Sequence, residues 1–158
     1  MKKNVVLLIL AGIVFCFCAT AAVAQGNAKQ GPDPSTLRDP ELEKDSLHNL
    51  EVARHYFKLK KAYVAALKRC EEIDAGNPTF AKMDEVLFIA GQSYLRLSEN
   101  KGKQEYKGKT TEELRTEARI YLSRLVTGYP QSPFAKQVEG DLQSLGGPLP
   151  KIDPPKPE

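Results

Sequence analysis

Apolar residues recur at steps of three and four along most of residues 40–145, which is the spacing of an amphipathic helix. The first run consists of Leu42, Leu47, Leu50, Val52, Ala53, Tyr56, Phe57 and Leu59. The second run consists of Tyr63, Ala66, Leu67, Cys70 and Ile73. No segment alternates with period two for long enough to predict a strand. The pattern therefore predicts an all-α fold.

Three further helices are predicted from the same spacing. The third run consists of Met83, Val86, Leu87, Ala90, Tyr94, Leu95 and Leu97, and the fourth of Leu114, Ala118, Tyr121, Leu122, Leu125 and Val126. Ser132-Pro133 is predicted to open a last short helix that continues through Leu145. The chain is thus predicted to hold five helices, with a loop at residues 98–109 between the third and the fourth.

Local signals mark where helices begin. Asp39-Pro40-Glu41 is typical of a helix start, because Asp can cap free amides and Pro suits the first helical turn. Thr110 with Glu113 three residues later is typical of a capping box. These signals predict helix starts near residues 40 and 111.

Other signals mark where helices end. Gly76 is followed by Pro78, and Gly128 by Pro130, which predicts a helix end at each pair. Lys60-Lys61-Ala62 lies between the first two apolar runs and contains neither Gly nor Pro. Two alternatives therefore stay open for residues 40–75, which are a hairpin with a tight turn and one continuous helix.

The chain contains an internal repeat. The separation of Ala66 from Pro78 along the chain is the same as that of Ala118 from Pro130. A small residue followed by Tyr three positions later occurs in both units, as Ala53 with Tyr56 and as Gly91 with Tyr94. Gly91 costs about 1 kcal/mol relative to Ala inside a helix, so it is predicted to allow a close approach of two helices. The repeat predicts two helical hairpins that stack, because one hairpin alone cannot bury its apolar face.

The residues of these units resemble a known family. ARHYFKLKKAYVAALKRCEEI at residues 53–73, EVLFIAGQSYLRL at 85–97 and EARIYLSRLVTGYPQSPFA at 117–135 are similar to the tetratricopeptide-type outer-membrane assembly factors of the BamD (YfiO) family. The resemblance implies a short α-solenoid of two helical hairpins plus a C-terminal capping helix. It also implies a scaffold function in the insertion of β-barrel proteins into the outer membrane.

Residues 1–24 have the form of a secretory signal peptide. Lys2 and Lys3 precede an apolar stretch at residues 5–17, and Ala22-Val23-Ala24 offers the small residues of a cleavage site. Such a signal would direct export of the chain to the periplasm, with cleavage after Ala24. A retained N-terminal anchor is the alternative. Cys16 and Cys18 each follow Phe, which is not the flank of a lipid-attachment cysteine.

Cleavage changes two bulk properties of the chain. Only Cys70 would remain, so the mature chain could form no internal disulfide bond. The formal net charge of the whole chain is +3, and Lys2 and Lys3 contribute two of these charges, so +1 would remain. This balance argues against a nucleic-acid partner.

Beyond the signal peptide, composition and apolar spacing divide the chain into three segments. Residues 25–39 are predicted to be a disordered linker, because they are rich in Pro, Gly and polar residues and have no apolar period. Residues 40–145 are predicted to be the tetratricopeptide-like helical repeat domain. Residues 146–158 are predicted to be a Pro-rich disordered tail.

No catalytic residue, cofactor or metal site is predicted. His48, Glu51 and His55 could be drawn as a metal site, but the two histidines are seven residues apart and no fourth ligand is evident, so a solvated helix face is the better interpretation. Cys70 lies in an amphipathic helix and is predicted to be buried rather than reactive.

The predicted partner is a protein or peptide. Arg54, Lys58, Gln92 and Arg96 are predicted to lie on the concave side, in the groove lined by the first helix of each hairpin, where the three cations would favour an acidic peptide or chain terminus. We call these four residues the predicted basic face. The lysines of the loop at residues 98–109 are a second candidate, with a merely solvated loop as the favoured alternative.

These observations together predict a non-enzymatic, periplasmic interaction scaffold in outer-membrane protein assembly or cell-envelope biogenesis. Peripheral association with the outer membrane is left open. The alternatives are another periplasmic tetratricopeptide adaptor, for cell-wall, division or secretion machinery, and a small metal- or thiol-dependent hydrolase.

Overall fold

Five α-helices follow one another in the computed structural model, which describes residues 38–102 and 104–150. They are α1 (Pro40–Arg54), α2 (Tyr63–Gly76), α3 (Met83–Ser98), α4 (Thr111–Gly128) and α5 (Glu139–Ser144). A π-helix at His55–Lys60 continues α1, and a 3-10 helix at Lys136–Val138 precedes α5. The described residues form no strand. The predicted all-α class and the predicted number of helices are confirmed.

Several predictions concern segments that the structure leaves undescribed. The signal peptide at residues 1–24, residues 25–37 of the linker and residues 151–158 of the tail lie outside the described residues. The linker's last two residues are described. The guanidinium of Arg38 donates a hydrogen bond to the carbonyl oxygen of Thr79 at 3.0 Å, and the Asp39 carboxylate accepts one from the Glu41 amide at 2.9 Å. Asp39 therefore caps α1 as predicted.

The chain turns sharply between α1 and α2. Lys61 lies in the left-handed region at φ 51° and ψ 34°, and its backbone N–H donates to the carbonyl oxygen of Tyr56. The N–H of Ala62 donates to the same oxygen at 3.0 Å. Together these bonds end the π-helix, and the return helix begins at Tyr63. The hairpin alternative for residues 40–75 is therefore confirmed, and the continuous helix is wrong.

The Lys61 conformation generates a stability prediction. A non-glycine residue in the left-handed region costs roughly 1–2 kcal/mol, and the gain from removing this cost is partly offset by the larger backbone entropy of an unfolded glycine. We expect Lys61→Gly to raise the free energy of unfolding by about 1 kcal/mol. Lys60→Gly, inside the π-helix, is the control and should lower it. Urea unfolding followed by far-UV circular dichroism measures both, and equal losses would show that Lys61 is unstrained.

Helix α3 is the centre of the described unit. It packs against α2 on one side and α4 on the other, and all but four of its residues are buried. A Cβ placed on Gly91 would lie 2.5 Å from Cδ2 of Leu122 and 3.3 Å from the backbone nitrogen of Leu122 on α4. Gly91 therefore allows the close approach of α3 and α4, as predicted.

This contact generates a second stability prediction. Gly91→Ala should gain about 1 kcal/mol of helix propensity but should lose about 1–3 kcal/mol because the added methyl overlaps Leu122. We expect a net loss in the free energy of unfolding. Gly140→Ala is the matched control, because a Cβ there meets nothing within 4 Å and should stabilise α5. If urea unfolding gave the same gain for both variants, the helices would not be in close contact at Gly91.

Helices α2 and α4 end in the same way. Their last residues are Gly76 and Gly128, and the next residues leave the helical region, Asn77 at φ −142° and ψ 72° and Tyr129 at φ −133° and ψ 59°. Each of these two residues precedes a proline, which disfavours the helical conformation of the residue before it. The predicted ends are confirmed. Ala66 and Ala118, the equivalent alanines of the two units, are both 0% exposed.

The loop between α3 and α4 packs onto the first hairpin. Gly102 has φ 109°, and a Cβ there would lie 2.7 Å from Cδ2 of Tyr63. Tyr106 is half-buried against the core. The described lysines of the loop each lie near a carboxylate, in the pairs Lys101–Glu99, Lys107–Glu105 and Lys109–Glu117. The loop is thus a folded element whose described positive charges have neighbouring negative charges.

The last helix begins later than the pattern predicts. Ser132 does not open it; its hydroxyl accepts a hydrogen bond from the Phe134 amide at 3.2 Å and donates one to Asp84 at 2.7 Å. These bonds hold a turn, and α5 starts only at Glu139. Beyond α5 the chain turns at Gly146 and Gly147, at φ 93° and 82°, and runs back over α4. Residues 146–149, which belong to the predicted tail, thus contact α4.

Candidate functional site

The predicted basic face is partly engaged inside the protein. Arg54 and Glu85 form a two-pronged ion pair, with Nε 2.7 Å from Oε1 and Nη2 2.5 Å from Oε2. The Gln92 side chain is buried and donates to Asp141 of α5 at 2.6 Å. Arg96 lies 3.5 Å from Glu99, and Lys58 is exposed. The face is more balanced in charge than its sequence indicates, and its role in binding stays a prediction.

The Arg54–Glu85 pair joins α1 to α3 and shifts the pKa of both side chains. Hydrogen bonds from Arg54 hold the pKa of Glu85 below its ordinary value. A carboxyl group whose pKa is lowered on folding stabilises the fold above its unfolded pKa, about 4.3 for Glu, and loses this contribution as pH falls through the folded value. The pair therefore makes the fold sensitive to acid.

The lowered pKa of Glu85 predicts how stability depends on pH. Glu85→Gln should lower the stability near neutral pH, because Arg54 loses a charged partner, and should reduce the loss of stability between about pH 5 and pH 3. Glu72→Gln is the control, since Glu72 forms an exposed pair with Arg69 at 2.7 Å. Urea unfolding at several pH values measures both. An unchanged acid dependence in Glu85→Gln would contradict the assignment.

A cluster of aromatic and charged residues joins α2, α3 and α4. The Tyr94 hydroxyl donates to Glu71 at 2.7 Å, and the Tyr94 and Tyr121 ring centroids are 5.6 Å apart. The Arg124 guanidinium lies 5.4 Å from the Tyr121 centroid and forms two 2.7 Å hydrogen bonds to Asp74. Burial raises the pKa of Tyr121 to about 12. The cluster fixes Arg124 at the edge of a cavity.

That cavity is an open groove between the start of α3 and the C-terminal half of α4. Its volume is about 680 Å³. The described lining residues are Pro78, Met83, Leu87, Ile120, Ser123, Arg124, Thr127, Gly128, Tyr129, Leu149 and Pro150. We call this the apolar groove. Met83 and Leu87 are almost fully buried at its base, whereas Tyr129 is 37% exposed at its rim.

Charge is balanced in the apolar groove. Arg124 is the one charged residue among the described lining residues, and Asp74 holds its guanidinium. Ser123 and Thr127 supply hydroxyl groups. The groove therefore offers apolar contact and neutral hydrogen-bonding groups, which are the features of sites that bind uncharged ligands or chain segments.

One edge of the groove is formed by the chain that returns over α4. Arg115 donates to the carbonyl oxygen of Ser144 at 3.1 Å, and Arg119 donates to those of Gly147 and Gly146 at 2.7 and 2.9 Å. The Leu149 amide donates to the Ser123 hydroxyl at 2.9 Å. We call residues 144–150 the strap. Side chains on one face of α4 thus hold the strap's backbone.

The sequence contains one signal of this groove. Ile120 lies outside the apolar run of α4, which is Leu114, Ala118, Tyr121, Leu122, Leu125 and Val126. An aliphatic residue on the otherwise polar side of a helix indicates a second contact. The strap's contribution, by contrast, depends on where the chain returns after α5, which the local pattern does not specify.

The residues considered for thiol or metal chemistry do not line the apolar groove. Cys70 is fully buried and burial raises the pKa of its thiol, whereas His48 and His55 are exposed. Within residues 38–102 and 104–150, no three His, Cys, Asp or Glu side chains are close enough to hold a metal ion. No helix in this part of the chain has the length and apolar character to span a membrane.

Comparison with protein families, with curated proteins and with solved structures found no match for this chain. The resemblance to the tetratricopeptide-type assembly factors therefore stays a prediction. Residues 38–102 and 104–150 thus form an all-helical unit with an open apolar groove between the start of α3 and the C-terminal half of α4.

Proposed function

We propose that this chain is a non-enzymatic scaffold that binds another protein through the apolar groove. The groove itself is the observation that supports this function. Its volume of about 680 Å³ lies within the range of roughly 300–1,000 Å³ that is usual for ligand sites. Its apolar base and neutral polar edge suit a protein segment, because apolar surface that stays open to water tends to mark an interaction site.

The arrangement of the hairpins supports a short tetratricopeptide-like α-solenoid as part of this proposal. The first hairpin is α1 and α2, the second is α3 and α4, and the two are in contact through α2 and α3. Val138 and Leu142, just before and within α5, are buried. In a solenoid, α5 would act as the capping helix that covers the end of the second hairpin.

The place of action is proposed from the sequence. Residues 1–24 have the form of a signal peptide, and the repeat residues resemble the outer-membrane assembly factors. A periplasmic scaffold in outer-membrane protein assembly or cell-envelope biogenesis agrees with both features. An exported chain would meet its protein partner in the periplasm or at the outer membrane.

Position-specific photo-crosslinking in living cells tests the scaffold proposal. A photoreactive phenylalanine analogue would replace Tyr129 at the groove rim, Lys58 on the predicted basic face, or Leu42 as a control. Leu42 is 45% exposed on α1 and belongs to neither surface. We expect adducts of defined mass at position 129 and not at position 42.

The other outcomes separate the two surfaces. Adducts at position 58 alone would place the partner on the predicted basic face, and charge reversal of Arg96 should then reduce them. Equal adducts at all three positions, or none at positions 129 and 58, would contradict the scaffold function.

A further inference from the structure

The turn between α1 and α2 carries unbalanced positive charge. Its sequence is Lys58-Leu59-Lys60-Lys61, and it lies within residues 52–70, which contain no Asp or Glu. All four side chains are exposed. In the part of the chain that the structure describes, no carboxylate forms an ion pair with any of these three lysines. We call residues 58–61 the basic tip.

The charges beside the basic tip are largely neutralised. The loop between α3 and α4 packs next to the tip, since a Cβ on Gly102 would lie 3.0 Å from the Lys61 carbonyl oxygen. The described lysines of this loop lie near carboxylates. Lys58 helps to lower the pKa of Glu85, but that carboxylate is already bonded to Arg54. The excess positive charge at this end of the described structure therefore lies on the tip.

Leu59 places an apolar side chain among these lysines. It belongs to the first apolar run of the sequence, yet it is 73% exposed. Phosphate groups alone, as on a nucleic acid, would give this side chain little to contact. A lipid surface offers phosphate groups directly above acyl chains, and lysine stems can lie along apolar surface while their ammonium groups stay in water. A leucine flanked by lysines therefore fits the boundary between headgroups and acyl chains.

The backbone of the tip is unfavourable for a lysine. Lys61 lies in the left-handed region at φ 51°, and the six residues before it form a π-helix. Both conformations are rare for ordinary residues, and π-helical turns and strained residues are frequent at functional sites. Glycine would adopt the same turn without the steric cost. The turn thus presents an additional ammonium group at a cost in stability, which favours a role for the side chain.

The basic tip and the apolar groove lie at opposite ends of α2. The tip lies just before Tyr63, the first residue of α2, whereas Pro78, which lines the groove, follows the last residue of α2 by two positions. A helix of 14 residues is about 21 Å long. A membrane in contact with the tip would therefore leave the groove open to a protein partner.

We propose that the basic tip binds the surface of a membrane that contains anionic phospholipids, with its three lysines at the phosphate groups and Leu59 among the first acyl carbons. Each lysine near such a surface raises the affinity roughly fivefold, and salt weakens this attraction. The tip is a second surface with a lipid partner, so this role goes beyond the proposed scaffold function.

A single tryptophan at position 59 tests the proposal. The chain contains no Trp, so the fluorescence of Leu59→Trp reports on this position alone. The purified variant would be titrated with vesicles of equal parts phosphatidylglycerol and phosphatidylcholine. We expect a saturable blue shift of the emission, and quenching by lipids that are brominated on their acyl chains. Leu42→Trp is the matched control and should show neither change, because Leu42 is 45% exposed at the start of α1, away from the tip.

Further substitutions in the Leu59→Trp chain test the charges. Lys60→Gln and Lys61→Gly should each weaken vesicle binding about fivefold. Lys61→Gly is also expected to stabilise the fold, so weaker binding by this variant would not result from unfolding. Lys136→Gln is the control and should bind as before, because it removes the same charge from an exposed residue of another segment.

Five results would overturn the proposal. They are no blue shift at position 59, an equal shift at position 42, an equal shift with vesicles of phosphatidylcholine alone, unchanged affinity in Lys60→Gln and Lys61→Gly, and an equal shift when double-stranded DNA replaces the vesicles. The last result would assign the tip to the phosphates of nucleic acid. Crosslinking at position 129 concerns the apolar groove alone, so the scaffold function and membrane binding by the tip can fail independently.

Discussion

The close approach of α3 and α4 at Gly91 is the constraint on which the described structure depends. Gly91 has no side chain, so Leu122 can lie directly against its backbone. This contact brings the second hairpin together and leaves α3 covered on both sides, by α2 and by α4. A buried helix must be covered on all sides. The position of α4 against α3 therefore limits where α1, α5 and the strap can pack.

Two faces of α4 make different contacts. Its apolar face joins the core through Leu122 and its neighbours, whereas Arg115, Arg119 and Ser123 hold the strap on another face. The groove lies where the edge of α4 meets the start of α3. Its shape therefore follows from the same helix contact that builds the core, and its chemistry follows from residues that the core does not use.

The predicted basic face illustrates what helix geometry alone can specify. The sequence predicts Arg54 and Gln92 to face outward into a groove. The structure pairs Arg54 with Glu85 and Gln92 with Asp141. Both partners come from other helices, so the pairing depends on how the helices pack and not on the spacing within one helix.

The sequence by itself determined the helices and most of their ends, because these depend on local rules such as apolar periodicity, capping residues and the backbone restriction before proline. The tertiary structure decided that Lys61 adopts the left-handed turn, that the chain returns over α4, and that Leu149 meets Ser123. These features join residues far apart in the chain or require a local strain that only packing can offset. Short-range patterns do not contain that information.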